Sequence, residues 1–398
     1  MTTRILRGDC RAILPTLPAA SVHCVVTSPP YFGLRSYLPE GHPDKHREIG
    51  LERTPDEYVA ELVAVFREVR RVLRDDGTLW LNVGDSYASS PPGNRTVGVS
   101  AKSGLNGVNG ASGRYRETLA AGHQTKRDTS RLDGYKPKDL LGIPWLLAFA
   151  LRADGWYLRS DIIWHKPNPM PESVRDRPTS AHEHVFLLSK KPSYFYDATA
   201  ISETGVVPAG TKGAKGSATR AAQPGVNSRP PEYKIYDGTR NARSVWTIAT
   251  QPYRGPHFAV MPPDLAEKCI KAGTSERGAC PHCGAPWARI VKKTRLRNGE
   301  QVTGKWEQQT DHRIGASGVG HWRDSTTTKT LGWKASCACA GHPPVPCVVL
   351  DPFGGAGTTG LVADRLQRDA VMIELNQDTV DLSGDRVAKE APLLARVV

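Results

Sequence analysis

The chain has 398 residues, 39% hydrophobic and 23% charged, with 38 glycines and 31 prolines; this is the composition of a loop-rich globular protein, not of a disordered or collagen-like one. Lys and Arg outnumber Asp and Glu by 53 to 40, a formal charge of +13, which suits a polyanionic partner because each neutralised phosphate releases counterions. No apolar stretch reaches the roughly 18–20 residues of a membrane helix, the N-terminus has no apolar signal region, and the cysteines form no disulfide framework, so a cytoplasmic protein is expected.

Val22–Val26 is a short β-branched run that stops at Ser28-Pro29-Pro30 and reads as a buried strand. Thr54-Pro55-Asp56-Glu57 forms a capping box with proline at the first helical position. Behind it Val59, Leu62, Phe66, Val69 and Leu73 recur at helical spacing, giving one apolar face closed by Asp75-Asp76-Gly77. Leu79–Val83 follows as a strand, and strand–helix–strand is the grammar of an α/β domain. From Ser89 to about Lys138 the pattern dissolves into a mobile basic loop carrying Arg95, Lys102, Arg114, Arg116, Lys126, Arg127 and Arg131, long enough to call for a function. Ile143–Leu151 predicts a helix, and Trp156–Trp164 and Glu183–Leu188 predict strands. Two weakly patterned stretches follow, 200–243 and 284–336. Pro346–Leu350, Thr358–Gln367 and Ala370–Leu375 then restore strand, helix and strand. The expectation is one α/β core, split across the two ends of the chain, with basic insertions between.

Leu350–Gly360 (LDPFGGAGTTG) sits where a strand turns into a helix. Glycine lets the backbone approach a ligand, and the helix N-terminus offers free N–H groups to an anion. Gly355–Gly360 also matches G-x-G-x-x-G, with Glu374 about twenty residues on to hold ribose hydroxyls. The loop by itself therefore fits NAD as well as S-adenosylmethionine (AdoMet). For AdoMet the anion would be the methionine carboxylate, with Thr358 and Thr359 as hydroxyl donors.

Thr27-Ser28-Pro29-Pro30-Tyr31-Phe32 directly follows its strand, at the edge where open α/β sheets bind ligands. The prolines remove backbone donors and leave carbonyls without sheet partners. Such a corner suits an exocyclic amine, a poor nucleophile whose lone pair is delocalised into its base. The Ser28 hydroxyl and Pro29 carbonyl would accept its protons and draw the nitrogen towards sp3 geometry. Tyr31 or Phe32 would offer a ring for an extruded base.

With this corner ahead of the glycine loop, the chain resembles the β-group of amino-methyltransferases, bacterial and phage DNA enzymes. The resemblance covers most of the chain: Gly8-Asp9, Ser28–Tyr31, Asp161–Pro171 (DIIWHKPNPMP), Ser180–Glu183, Arg254–Ala259 and Asp351–Gly360. It implies a seven-stranded, Rossmann-like AdoMet sheet, circularly permuted in sequence. It places Asp9 near the cofactor adenine, Glu374 at the ribose, and Asp351, Phe353, Gly355 and Gly357 around the methionine end. It implies site-specific methylation of double-stranded DNA, and a restriction endonuclease acting on the same site as a partner to seek. Within the family, serine at the first motif position accompanies methylation of cytosine at N4, and aspartate or asparagine methylation of adenine at N6. Ser28 thus favours N4 of cytosine over N6 of adenine. An NAD-dependent oxidoreductase would leave Ser28–Tyr31 without purpose and has too little chain after the loop.

Cys280-Pro281-His282-Cys283-Gly284 is a knuckle-like turn, and Cys337-Ala338-Cys339 would complete a four-sulfur zinc site. His342 is an alternative ligand. Such a zinc would be structural. The remaining cysteines, Cys10, Cys24, Cys269 and Cys347, read as small core residues, and none reads as a nucleophile. His165, Lys166, Arg175, Arg177, His182 and Glu183 suit DNA contact or ordinary solvation and packing equally well. The boundaries expected are a catalytic part at 1–198, a target-recognition segment at 199–245, a helix region on the AdoMet side at 246–275, a zinc-binding insertion at 276–345 and an AdoMet-binding part at 346–398.

Overall fold

The computed structural model describes residues 1–34, 36–89, 129, 132–204, 212–214, 233–235, 239–251, 260–295, 326–339, 341–390 and 396–397. Most of the basic loop expected at 89–138, and the stretch Arg254–Ala259, lie outside the described residues. The chain divides into two compact units. One comprises Met1–Asp197, Arg243–Trp287 and Ala335–Val398; the other comprises Ala198–Ala242 and Ala288–Lys334.

The first unit is built on one sheet. Its strands are β1 (Thr2–Arg7), β2 (Val22–Thr27), β3 (Leu73–Val83), β4 (Tyr157–His165), β5 (His182–Ser189), β6 (Val245–Thr247), β7 (Val348–Asp351), β8 (Asp369–Glu374) and β9 (Arg396–Val397). They lie in the order β6-β4-β5-β3-β2-β7-β8-β1-β9, and every pairing is parallel except those of β5 with β3 and β4. The seven strands from β4 to β1 are those of the expected AdoMet-type sheet. β6 and β9, three and two residues long, add an extra pairing at each edge. Parallel strands covered on both faces need apolar residues throughout, which is why all six residues of β2 are buried. Arg4 and Arg7 interrupt that pattern in β1, whose half-exposed position next to the short edge strand β9 was not legible from the sequence.

Among the described residues the α-helices are α1 (Cys10–Ile13), α2 (Pro55–Val72), α3 (Ile143–Ala153), α4 (Pro263–Gly273), α5 (Thr358–Arg365) and α6 (Gln377–Glu390). Helix α2 starts as its capping box predicts, with the Glu57 N–H donating to Thr54 Oγ1 at 3.1 Å. It buries Tyr58, Val59, Leu62, Val65, Phe66 and Val69 in the main core. It ends at Val72, however, and β3 begins at once at Leu73. Asp75–Gly77 are an irregularity within that strand rather than a turn, since the register with β2 jumps from Val22↔Leu73 to Cys24↔Thr78. Gly77 is required there because a Cβ would fall 2.6 Å from Leu73 Cδ1 and 2.9 Å from the His23 carbonyl.

In the second unit Ala288–Arg295 and Thr326–Lys334 form an antiparallel ribbon, irregular at Ile290/Val291. Two short antiparallel pairs, Glu203–Thr204 with Thr239–Arg240 and Lys212–Ala214 with Tyr233–Ile235, complete its described structure. Among the described residues no helix is long and apolar enough to cross a membrane.

Candidate active site

Because β1, β2, β3, β7 and β8 run parallel, their carboxyl ends share one edge, the edge at which open α/β sheets bind ligands. Gly8-Asp9, Ser28, Asp351 and Glu374 follow or end these strands, so residues from both ends of the chain meet there. The lone antiparallel strand β5 brings its amino end, His182 and Glu183, to the same edge, opposite Trp164 and His165 of β4. The result is a cleft of about 700 Å3 lined by Asp9, Ser28, Pro29, Pro30, Tyr31, Asp351, Phe353, Gly355, Thr358, Thr359 and Glu374. Of the cleft residues predicted from the sequence, Gly357 and Phe32 are absent from the lining; Gly357 is the one in the glycine loop. It takes φ +78° at the N-cap of α5, and a Cβ there would lie 2.8 Å from Ser383 Cβ. Its glycine serves the turn and the approach of α6.

The glycine-loop half of the cleft is internally satisfied. Asp351 is 4% exposed and accepts from Thr27 Oγ1 at 2.6 Å, Thr359 Oγ1 at 2.8 Å and the Phe353 N–H at 3.0 Å. Burial pushes its carboxyl up to about 7 against those three donors. Glu374 accepts from the Gly355 N–H and the Asn376 N–H, each at 2.9 Å, and burial lifts its carboxyl as well. Arg386 of α6 donates to the Ala356 carbonyl and Thr358 Oγ1, both at 3.0 Å. Thr359 therefore holds Asp351 in place, and Thr358 meets Arg386, before any ligand is considered. Next to Glu374, whose carbonyl accepts from the Gly8 N–H at 2.8 Å, Asp9 caps α1 through the Arg11 N–H at 2.9 Å and forms a forked ion pair with Arg11. Burial opposes the charge on Asp9, but the Arg11 hydrogen bonds prevail and keep its carboxyl below the ordinary range.

The Ser-Pro-Pro-Tyr half is also wired to its surroundings. The Tyr58 hydroxyl donates to the Pro30 carbonyl at 2.8 Å, which leaves the Pro29 carbonyl as the corner's candidate acceptor. The Ser28 hydroxyl donates to the Tyr31 oxygen at 3.3 Å, and the Tyr31 hydroxyl donates to Glu183 Oε2 at 2.7 Å. Asn82 donates to the same Glu183 oxygen at 3.0 Å, and Lys166 pairs with the other. Burial first, and then the Glu183 charge, hold the Tyr31 phenol well above its ordinary range, so it stays a donor. Gly84 makes room for the ring: a Cβ there would lie 2.6 Å from Tyr31 Cε2. Phe32 is 1% exposed and packs on Tyr58 at 5.6 Å. It belongs to the core, and of the two aromatic residues of the corner only Tyr31 faces the cleft.

A DNA methylase family model matches residues 22–280 and 347–385. The chain is 35% identical to the Type II methyltransferase M.SmaI of Serratia marcescens over 97% of this chain and 91% of the relative. It is 36% identical to M.XycI of Xanthomonas campestris pv. cyanopsidis over 99% and 90%. The chain belongs to the DNA methylase family. Among solved structures, PvuII DNA methyltransferase, described as cytosine-N4-specific, shares the fold at TM-score 0.50 and 15% identity, covering 97% of this chain and 87% of that one.

Asp85 and Lys166 line the cleft of this methylase, whereas His165, Arg177 and His184 do not. Asp85 accepts from the Gly142 and Ile143 N–H groups at 3.1 Å each, capping α3 from a distant segment. Lys166 sits 4.5 Å from the Trp164 ring. Arg177 is committed to Glu172 at 2.6 Å and to the Tyr87 ring at 3.9 Å. His165 meets Thr247 Oγ1 at 3.1 Å, and His184 meets Asp161 at 2.9 Å.

The methylase's second cluster is Cys280, Cys283, Cys337 and Cys339, whose sulfurs all lie within 4.8 Å of one another. His342 stands aside and packs its ring on His282 at 4.1 Å. All four cysteines belong to the first unit, whereas 288–334 belong to the second. Gly284 closes the knuckle at φ +69°, where a Cβ would lie 2.3 Å from Arg74 Nη1. Arg74 grips the Cys283 carbonyl at 2.7 Å, and His23 Nε2 reaches the Gly284 carbonyl at 2.9 Å while its Nδ1 accepts from the Val348 N–H at 3.0 Å. Burial pulls His23 down to about 4, which suits this bridging, neutral role.

Proposed function

We propose that this DNA methyltransferase moves the methyl group of AdoMet directly onto N4 of a cytosine extruded from double-stranded DNA. The observation that carries the reading is that the glycine loop and the Ser-Pro-Pro-Tyr corner, from opposite ends of the chain, line one cleft. Its volume falls in the range of small-molecule sites. Bound there, AdoMet supplies an electrophilic methyl on a sulfonium sulfur. Glu374 retains lone pairs for ribose hydroxyls, the start of α5 offers N–H groups to a carboxylate, and we assign Asp9, which lines the same cleft, to the adenine. Ser28 Oγ and the Pro29 carbonyl accept the amine protons and aim its lone pair. Serine at position 28, read with the family resemblance, favours cytosine N4. We assign target recognition to 199–245. The Type II relatives support a role beside a restriction endonuclease in the cytoplasm.

We also read the cysteine cluster as a closed, structural zinc site. Four sulfurs at mutual distances within 4.8 Å suit the tetrahedral preference of zinc. One zinc per chain in the purified protein, lost in Cys337→Ser, is the result expected. A metal-free protein of unchanged melting temperature contradicts it.

The substrate reading is tested by mass spectrometry of nucleosides from amplified, unmethylated bacterial DNA incubated with protein and AdoMet. N4-methylcytosine is the product expected. N6-methyladenine would keep the chemistry and overturn the base, and no modified nucleoside would contradict the proposal.

A further inference from the structure

Glu183 has no role in the reading above beyond lining the cleft, yet three side chains converge on it. Tyr31, Asn82 and Lys166, from three separate segments, all donate to it. Its side chain is 16% exposed and that of Lys166 19%, so this is an ion pair largely withdrawn from solvent, set in the wall of a reaction cleft. A buried ion pair is a poor device for stability alone. The direction of the hydrogen bonds points to its use: Ser28 donates to Tyr31, and Tyr31 donates to Glu183. Both hydroxyl protons thus run towards the carboxylate, and the lone pairs of Ser28 are left for the incoming amine.

We propose that Glu183 is a positioning residue that orients Ser28 through Tyr31 and receives the proton released by the methylated amine. The inference rests on the reading of Ser28 as the amine's acceptor and holds for cytosine N4 or adenine N6 alike. When the amine nitrogen bonds to the methyl carbon and the carbon–sulfur bond breaks, the nitrogen becomes cationic and must lose a proton. Its N–H bond breaks and the proton passes to Ser28 Oγ. The Ser28 proton moves to the Tyr31 oxygen, and the Tyr31 proton moves to Glu183 Oε2. The net change is one proton from amine to carboxylate, with both hydroxyls restored and no oxidant or reductant involved. Lys166, on the other carboxylate oxygen, and Asn82 hold the acceptor in place.

The experiment measures single-turnover methyl transfer to amplified, unmethylated bacterial DNA, alongside equilibrium affinities for AdoMet and DNA. Glu183→Gln keeps an oxygen for Tyr31 but removes the proton acceptor, and Tyr31→Phe cuts the chain while retaining the ring. Each should slow transfer by roughly 100-fold, the lower range for a positioned acid–base group, with both affinities within about threefold of wild type. The double variant should be no slower than the slower single one, because the residues act as one unit. A wild-type rate in Glu183→Gln overturns the proposal, as does a loss of affinity or melting temperature with the transfer step unchanged. If Ser28→Ala is itself silent, the acceptor reading of Ser28 fails. If Ser28→Ala is slow and Glu183→Gln is not, only the role of Glu183 fails.

Discussion

Two places in this molecule join segments far apart in sequence, and they do so by different means. At the cleft, Thr27 of β2 donates to Asp351 of β7 across 324 positions, Gly355 is held by Glu374, and Tyr31 is held by Glu183 across 152. The strands are already paired, and these side chains hold one another, so the edge is organised without a ligand. At the cysteine cluster the sulfurs of 280–283 and 337–339 converge, while the surrounding backbone is held by short-range turn bonds within 275–287, by Ala279 bridged to Val345, and by two carbonyls gripped by Arg74 and His23. Hydrogen-bonded strands make the first junction. The second has converging donors and little core, the condition in which a metal contributes folding free energy.

The comparison is broken most severely by Asp351→Ala. It leaves Thr27 Oγ1 and the Phe353 N–H without their acceptor in a buried place, and Thr359 Oγ1 with the Val26 carbonyl alone, at a cost of about 3 kcal/mol or more, and AdoMet binding should be lost. Unaltered AdoMet affinity by calorimetry would show that the junction tolerates a gap. Next, chelation with a strong zinc ligand should lower the melting temperature of wild type and leave that of Cys280→Ser unmoved; equal response of the two would remove the metal from the second junction. Gly357→Ala, strained at φ +78° and pressed on Ser383, should cost roughly 1–3 kcal/mol and weaken AdoMet binding modestly, as denaturant titration and calorimetry would reveal.

A subtler effect concerns pH. The Asp351 carboxyl is raised from 3.8 to about 7 in the fold, so between these values the folded chain keeps a proton that the unfolded chain has released. Its contribution to stability is full below about 4 and is lost as pH rises through about 7. Denaturant titrations of wild type against Asp351→Asn over that window should show the slope vanish in the variant. Identical slopes would move its origin elsewhere. The smallest change is Thr54→Ala, at a residue that lines neither junction; it should cost about 1 kcal/mol through loss of the α2 cap and leave transfer rates untouched.

The parts that the sequence made legible are those whose signals are local. The apolar run of β2 ending at Ser28-Pro29-Pro30, the capping box of α2 and the strand–glycine–helix passage at Leu350–Gly360 each carry their pattern within a dozen residues. What escaped was set by partners across the fold. Arg4 and Arg7 hid β1, because only its place near the sheet edge lets them reach solvent. Asp75–Gly77 looked like a turn, because nothing local reveals that β2 absorbs them as an irregularity. Phe32 read as a stacking ring until Tyr58 placed it in the core. Glu183 was indistinguishable from a packed carboxylate until an antiparallel strand brought it to Tyr31, and Asp85 caps a helix that begins 58 residues later.

The central claim, that both ends of the chain build one AdoMet site, is tested most directly by hydrogen–deuterium exchange with and without AdoMet. Protection should appear together at Gly8–Cys10, at Ser28–Tyr31 and across Asp351–Asn376. Protection confined to the C-terminal segment, with the N-terminal segments unaffected, would contradict it.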